Sequence, residues 1–214
     1  IMQKAVCLLV IAFSFAAHAA EFADRTITLK TTRYDLDYKL NYEQAMVTGA
    51  CRMVVKNTAN DSARVVPLLL YKLMTVHSIR NLNARELPFT QRNVMFDDRD
   101  SMEVNFIEVP LFEPLAKNKT TTLDIAYDGY MKGYVETGMM YTRDQIAEDF
   151  TILRLDCYAY PVIGYPNWSM HRKAGFESYD YVITVTVPEG LTAANPGRLT
   201  ARGKSGSDEV FTFQ

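Results

Sequence analysis

The sequence predicts an all-β domain, an antiparallel saddle-like β-sandwich or set of open sheets preceded by a signal-peptide helix. Three observations predict it. From Tyr34 onward apolar and polar residues alternate with a period of two, turn residues interrupt the chain at short intervals, and helical periodicity is nearly absent. With 214 residues, 48% hydrophobic and 22% charged, the chain has the balance of a folded globular protein and not of a disordered tail.

The elements follow in order. Residues 2 to 19 place one cation, Lys4, before an apolar run from Ala5 to Ala17 that closes on Ala17-His18-Ala19, the layout of a secretory signal peptide with a small-residue cleavage site. The run is shorter than the roughly 20 residues a bilayer span requires. An uncleaved anchor or a buried N-terminal helix is the alternative. The expected division is therefore a signal peptide over 1–19, a lead-in over 20–33 and a β-domain over 34–214, and the expected compartment is secreted or periplasmic. No second apolar run of membrane length follows.

Tyr34 to Leu40 and Val47 to Lys56 read as an antiparallel hairpin, with Cys51, Met53 and Val55 on one face because successive strand side chains point to opposite sides. Further strands are expected at Val65–Leu70, Leu73–Asn81, Gln91–Phe96, Met102–Val109 and Thr121–Tyr127, separated by Asn-, Asp-, Pro- and Lys-rich breaks. A short helix is expected at Thr142–Phe150, where Thr142 and Gln145 have capping-box spacing. The clearest strand is Tyr179–Val187, ended by Pro188-Glu189-Gly190. Val210 to Gln214 reads as a strand that stops without a turn or polar tail, so the β-domain is read as the truncated front part of a longer protein.

Composition also excludes chemistry. With 23 basic and 25 acidic residues the net charge is −2, which offers no basic field for nucleic acid or an anionic membrane surface. Three histidines and three cysteines are scattered where a zinc site needs three or four ligands together. His77 and His171 read as structural or solvated, and Cys51 and Cys157 as separate buried thiols in preference to a disulfide. No H-E-x-x-H, G-x-S-x-G, Walker loop, G-x-G-x-x-G or paired C-x-x-C occurs. Asp97-Asp98-Arg99-Asp100 lacks the Gly and distant Glu of a calcium loop and reads as a solvated turn. The Asn-x-Ser/Thr triplets at Asn60, Asn118 and Asn167 bear on glycosylation only in a source that glycosylates secreted proteins. Tyr158 to Trp168 gathers four large aromatics around two prolines, which suits either a rigid surface for a partner or a packed internal loop.

The order of these segments resembles the N-terminal saddle-shaped β-domain of the aminopeptidase N family of zinc metallopeptidases. Tyr34-Asp35-Leu36-Asp37-Tyr38 leads to Val47-Thr48-Gly49. Leu123-Asp124-Ile125-Ala126-Tyr127-Asp128-Gly129 is similar to the family's L-x-I-x-Y-x-G strand, and a stretch ending at Glu136-Thr137-Gly138-Met139-Met140-Tyr141 follows. Tyr160-Pro161 resembles its Phe-Pro step, and Tyr179 to Pro188 with Leu191 to Gly197 resembles its closing strand and turn. The resemblance implies a non-catalytic domain flanking the substrate cleft, with zinc and H-E-x-x-H in a downstream catalytic domain and none in this chain, a peptide as substrate of the whole, and no activity for this chain alone.

The resemblance also points to the segment before the Phe-Pro step, from which the family presents a Gln and an acidic residue to the substrate's α-amine. Here that segment, read as a strand, is Thr151-Ile152-Leu153-Arg154-Leu155-Asp156. Gln is absent, as are the Cys and Asp-x-Pro expected after Pro161. Asp156, Arg154 and Tyr160 are the candidate cleft residues; pairing of Arg154 with Asp156 on one strand face is the slightly preferred alternative. The competing function is a secreted β-sandwich binding or scaffolding module whose loop from Tyr158 to Trp168 docks a partner.

Overall fold

The computed structural model describes residues 21–132, 145–170 and 178–214. The expected signal peptide, residues 142–144 of the expected helix, the Glu136–Tyr141 motif and His171 lie outside the described residues. The chain is β-rich, as its period of two dictates. β1 (Leu29–Asn41), β2 (Met46–Asn57), β4 (Met74–Asn81), β7 (Thr120–Tyr130), β9 (Asp180–Val187), β10 (Leu199–Ser205) and β11 (Asp208–Phe213) form a seven-stranded sheet in the order β10-β11-β9-β1-β2-β7-β4. β3 (Ala63–Leu70), β5 (Thr90–Phe96), β6 (Arg99–Leu115) and β8 (Val162–Ile163) form a four-stranded sheet in the order β5-β6-β3-β8. Among the named strand pairs all are antiparallel except β1 with β9, so the larger sheet is mixed where pure antiparallel pairing was expected.

Two bulges decide which side chains enter the core. β1 buries Leu29 and Thr31 and then, after a register shift between Thr31 and Arg33, Tyr34, Leu36 and Tyr38. The extra residue swaps the faces, as a one-residue slip must. β4 does the same between Val76 and Ser78, so that Met74, Val76 and Ile79 all face inward. The bulge leaves the Val76 amide and carbonyl without a strand partner on that side, and the Gln91 side chain supplies one, accepting from Val76 N at 3.0 Å and donating to Val76 O at 2.8 Å. Asn105 Nδ2 donates to Met74 O at 2.8 Å, a second polar tie between the sheets.

β3 is buried almost throughout its second half, Val66 to Leu70, as a central strand covered on both faces must be. Val66, Leu68 and Leu70 join Ile107 and Val109 in the main core against the seven-stranded sheet. Leu69 points the other way, into a second cluster with Phe96, Met102, Val104 and Phe106 on the sheet's outer face. Gly49 is required where the Tyr127 ring crosses β2, since a Cβ there would lie 2.3 Å from Tyr127 Cζ.

Two expectations are corrected. Residues 145–150 are irregular, with Thr151 Oγ1 accepting from Ala147 N at 3.0 Å and donating to Ala147 O at 3.1 Å instead of a helix being continued. Residues 151–154 are irregular and Leu155–Cys157 is a 3-10 turn, not the strand read over Thr151–Asp156. β10, for which the sequence raised no expectation, forms an outer strand that is exposed at every position.

Candidate substrate-cleft turn

Two of the three candidate residues, Arg154 and Asp156, lie on one compact turn. Arg154 is extended at the N-cap of the 3-10 turn, and Tyr158 closes it in the left-handed region at φ 58°, its amide donating to Leu155 O at 3.0 Å. A non-glycine residue holds that conformation at a cost, and here Tyr158 is pinned from the far side, because its carbonyl accepts from Tyr71 N at 2.8 Å. Arg154 O is turned inward as well, accepting from Cys157 Sγ at 3.1 Å and Ala159 N at 3.3 Å.

The fold brings Arg154 and Asp156 together, Nη1 to Oδ2 at 3.1 Å, on a tight turn and not on a strand face. Their side chains are 18% and 27% exposed, so the pair is partly desolvated and reachable from solvent. Tyr160 goes elsewhere. It is 8% exposed, with its hydroxyl 3.1 Å from that of Tyr179 and its ring edge-on to Tyr34 at 5.3 Å. Tyr34 donates to Pro161 O at 2.9 Å, which ties β1 to the Tyr160-Pro161 step. Burial first, then the neighbouring Tyr179 hydroxyl, pushes the Tyr160 phenol up, and burial does the same to Tyr34. Both keep their protons at neutral pH; Tyr34 donates to Pro161 O, and the Tyr160 and Tyr179 hydroxyls share a hydrogen bond in which either can be the donor.

Cys51 and Cys157 are both buried, and burial pushes the Cys51 thiol up, which makes it inert as a nucleophile. The aromatic loop is internal: Tyr158 is 2% exposed and belongs to the second cluster with Tyr165 and Trp168 packed against it. A depression of about 420 Å3 lies instead on the outer face of the seven-stranded sheet, where Asp35, Asp37, Arg80 and Thr184 surround Arg52 and Asp124. Those last two form a bidentate pair at 2.6 and 3.0 Å. Among the described residues no three His, Cys, Asp or Glu side chains approach closely enough to hold a metal ion, so the donor set a zinc ion needs is not met in that part of the chain.

Sequence reasoning missed Tyr34 and Tyr179 as the residues that hold the Tyr160-Pro161 step, because the bonds from Tyr34 to Pro161 and between Tyr160 and Tyr179 join residues 127 and 19 apart in the chain and leave no local signal. It also misread Asp97 and Asp98. They are not simply solvated: Asp97 accepts from Glu21 N and Phe22 N, and Asp98 from Trp168 N and Ser169 N.

No family model and no curated protein matches this sequence. Solved structures do match its fold. An M1 zinc metallopeptidase from Deinococcus radiodurans, solved with a Tyr-Ser-Ala substrate, aligns at a TM-score of 0.63 and 18% identity over 87% of this chain and 39% of its own. A two-domain M1 zinc metallopeptidase bound to L-tryptophan aligns at 0.64 and 17% identity with the same coverage. Native yeast LTA4 hydrolase aligns at 0.53 and 10% identity over 87% of this chain and 27% of its own. The chain thus has the fold of part of these enzymes and spans 39% of the length of the first two.

Proposed function

We propose that this chain is the non-catalytic N-terminal β-domain of a secreted or periplasmic aminopeptidase-like zinc metallopeptidase and forms one wall of its substrate cleft. The observation that carries the reading is the coverage: nearly all of this chain, 87%, superposes on well under half, 39%, of an M1 zinc metallopeptidase. That proportion leaves room for a separate catalytic domain. Zinc, which polarises a scissile carbonyl and activates water in such enzymes, would belong to that domain.

In this reading Asp156 faces the peptide's α-ammonium, Arg154 holds the carboxylate in place until substrate arrives, and Tyr160 stiffens the turn from beneath. The internal packing of Tyr158 and Tyr160 removes the feature on which a separate aromatic docking module rested. The decisive test is the reading frame after the Gln214 codon. An H-E-x-x-H followed by a glutamate ligand is expected, and a frame that encodes no such motif overturns the proposal. The purified chain is expected to bind no stoichiometric zinc and to leave an aminoacyl anilide intact. Mass spectrometry of the exported protein is expected to find the mature chain starting at Ala20.

A further inference from the structure

The outer face of the four-stranded sheet would be an exposed apolar surface if the sheet stood alone, since Leu69, Met102, Val104 and Phe106 all point there. Among the described residues its cover is two stretches distant in sequence. One is the N-terminal strap from Glu21, whose Phe22 enters the cluster at 4% exposure, edge-on to Phe106 at 4.9 Å and stacked on Tyr165 at 6.1 Å. The other is the loop from Tyr158 to Trp168.

Both covers are fastened at one turn, between β5 and β6. The Asp97 carboxylate accepts from Glu21 N at 3.1 Å and Phe22 N at 2.6 Å, while the Asp97 amide donates to Pro166 O at 2.9 Å. The Asp98 carboxylate accepts from Trp168 N at 2.7 Å and Ser169 N at 2.8 Å, and Asn167 Oδ1 caps the same helical turn through Met170 N at 2.9 Å. Asp97 therefore touches both covers, and the two covers touch each other through Phe22 and Tyr165.

We propose that the Asp97–Asp98 turn is a latch that closes the N-terminal strap and the aromatic loop over the sheet as one cooperative unit, so that freeing either cover loosens both and bares an apolar patch. Among the described residues, the charged and titratable groups around the latch are Glu21 and Arg25 on the strap, Arg92 on β5, Arg99 on β6, and Tyr158 and Tyr165 on the loop. Arg92 pairs with Glu21 and lies 5.9 Å over Phe22, Arg25 lies 5.9 Å over Tyr165, and Arg99 lies 6.0 Å over Trp168. Burial pushes the Asp98 carboxyl upward, but the hydrogen bonds from Ser169 and Trp168 outweigh it and hold the group below the ordinary aspartate value. Its grip is complete above about pH 4 and is lost as pH falls further, the sign for a group whose folded pKa is depressed. Asp98 is exposed, so a proton reaches it without unfolding the sheets.

Trp168 is the chain's single tryptophan and reports on the latch directly. In the full chain, tryptophan emission, binding of an apolar dye, and hydrogen exchange are read for wild type, Asp98→Asn and Phe22→Ala at pH 7, and for wild type from pH 7 to 3. Expected for Asp98→Asn are red-shifted Trp168 emission, added dye binding and several-fold faster exchange in the strap as well as the loop, with β2 and β7 amides unchanged. Phe22→Ala is expected to do the reciprocal, loosening the loop from the strap side. If each substitution loosens only its own segment, or neither segment, the latch is overturned. Should a variant fail to fold, the wild-type acid series decides. Strap, loop and dye signals that move together before β2 and β7 lose protection uphold the latch, and signals that move only with global unfolding sink it.

Discussion

The four-stranded sheet has two faces of similar apolar character and opposite security. Its inner face, Val66, Leu68, Leu70, Ile107 and Val109, meets another sheet whose strands are bonded to neighbours along their length. Its outer face, Leu69, Met102, Val104 and Phe106, is roofed by a strap and a loop held through carboxylates on one turn. The difference teaches that equal burial does not mean equal stability. The inner contact is lost only when the fold is lost, whereas the outer contact opens locally for whatever the fastening costs.

The comparison is sharpened first on the inner side. Leu68→Ala at a fully buried position is expected to cost about 2–5 kcal/mol in urea unfolding, with strap and core losing protection together. Gly49→Ala drives a methyl into the Tyr127 ring and is expected to cost about 1–3 kcal/mol by the same measurement. Tyr34→Phe removes a buried hydrogen bond to Pro161 O and is expected to cost about 1–2 kcal/mol, seen as a lower urea midpoint and faster exchange around Tyr160. On the outer side Phe22→Ala is expected to lower global stability by only about 1 kcal/mol, because strap and loop open together without unfolding the sheets, while exchange in both covers quickens far more. The smallest effect is acid release of the solvent-screened Asp98, less than about 1 kcal/mol, present above about pH 4 and lost below it. An acid titration of Asp98→Asn in which the wild-type loss persists breaks the assignment to this carboxylate. Equal global costs for Leu68→Ala and Phe22→Ala would break the comparison itself.

Much of the seven-stranded sheet's side of the main core was legible in advance. The alternation of Val47, Cys51, Met53 and Val55 placed β2 and its core side correctly, and Tyr181, Ile183 and Val185 marked the inward side of β9. Three features had no local signature. The bulges in β1 and β4 break the period, so the predicted first strand began at Tyr34 and the real one begins at Leu29. β10 is exposed on both faces and so carries no apolar alternation. Thr151–Asp156 carried enough β-branched and apolar character to read as a strand, but its backbone bonds close a 3-10 turn. At the candidate site, Arg154 and Asp156 were legible as a pair from their spacing; the burial of Tyr160 against Tyr34 and Tyr179 was not.

By itself the sequence determined the β class, most strand positions and the lack of common catalytic signatures, because side-chain alternation and motif spacing are properties of neighbours along the chain. Only the tertiary structure decided that β9 runs parallel beside β1, that the aromatic loop turns inward, and that two adjacent aspartates fasten segments about 70 residues away on either side. Those outcomes depend on which distant backbone amides need an acceptor once the sheets have stacked, and that demand arises only when the chain is folded.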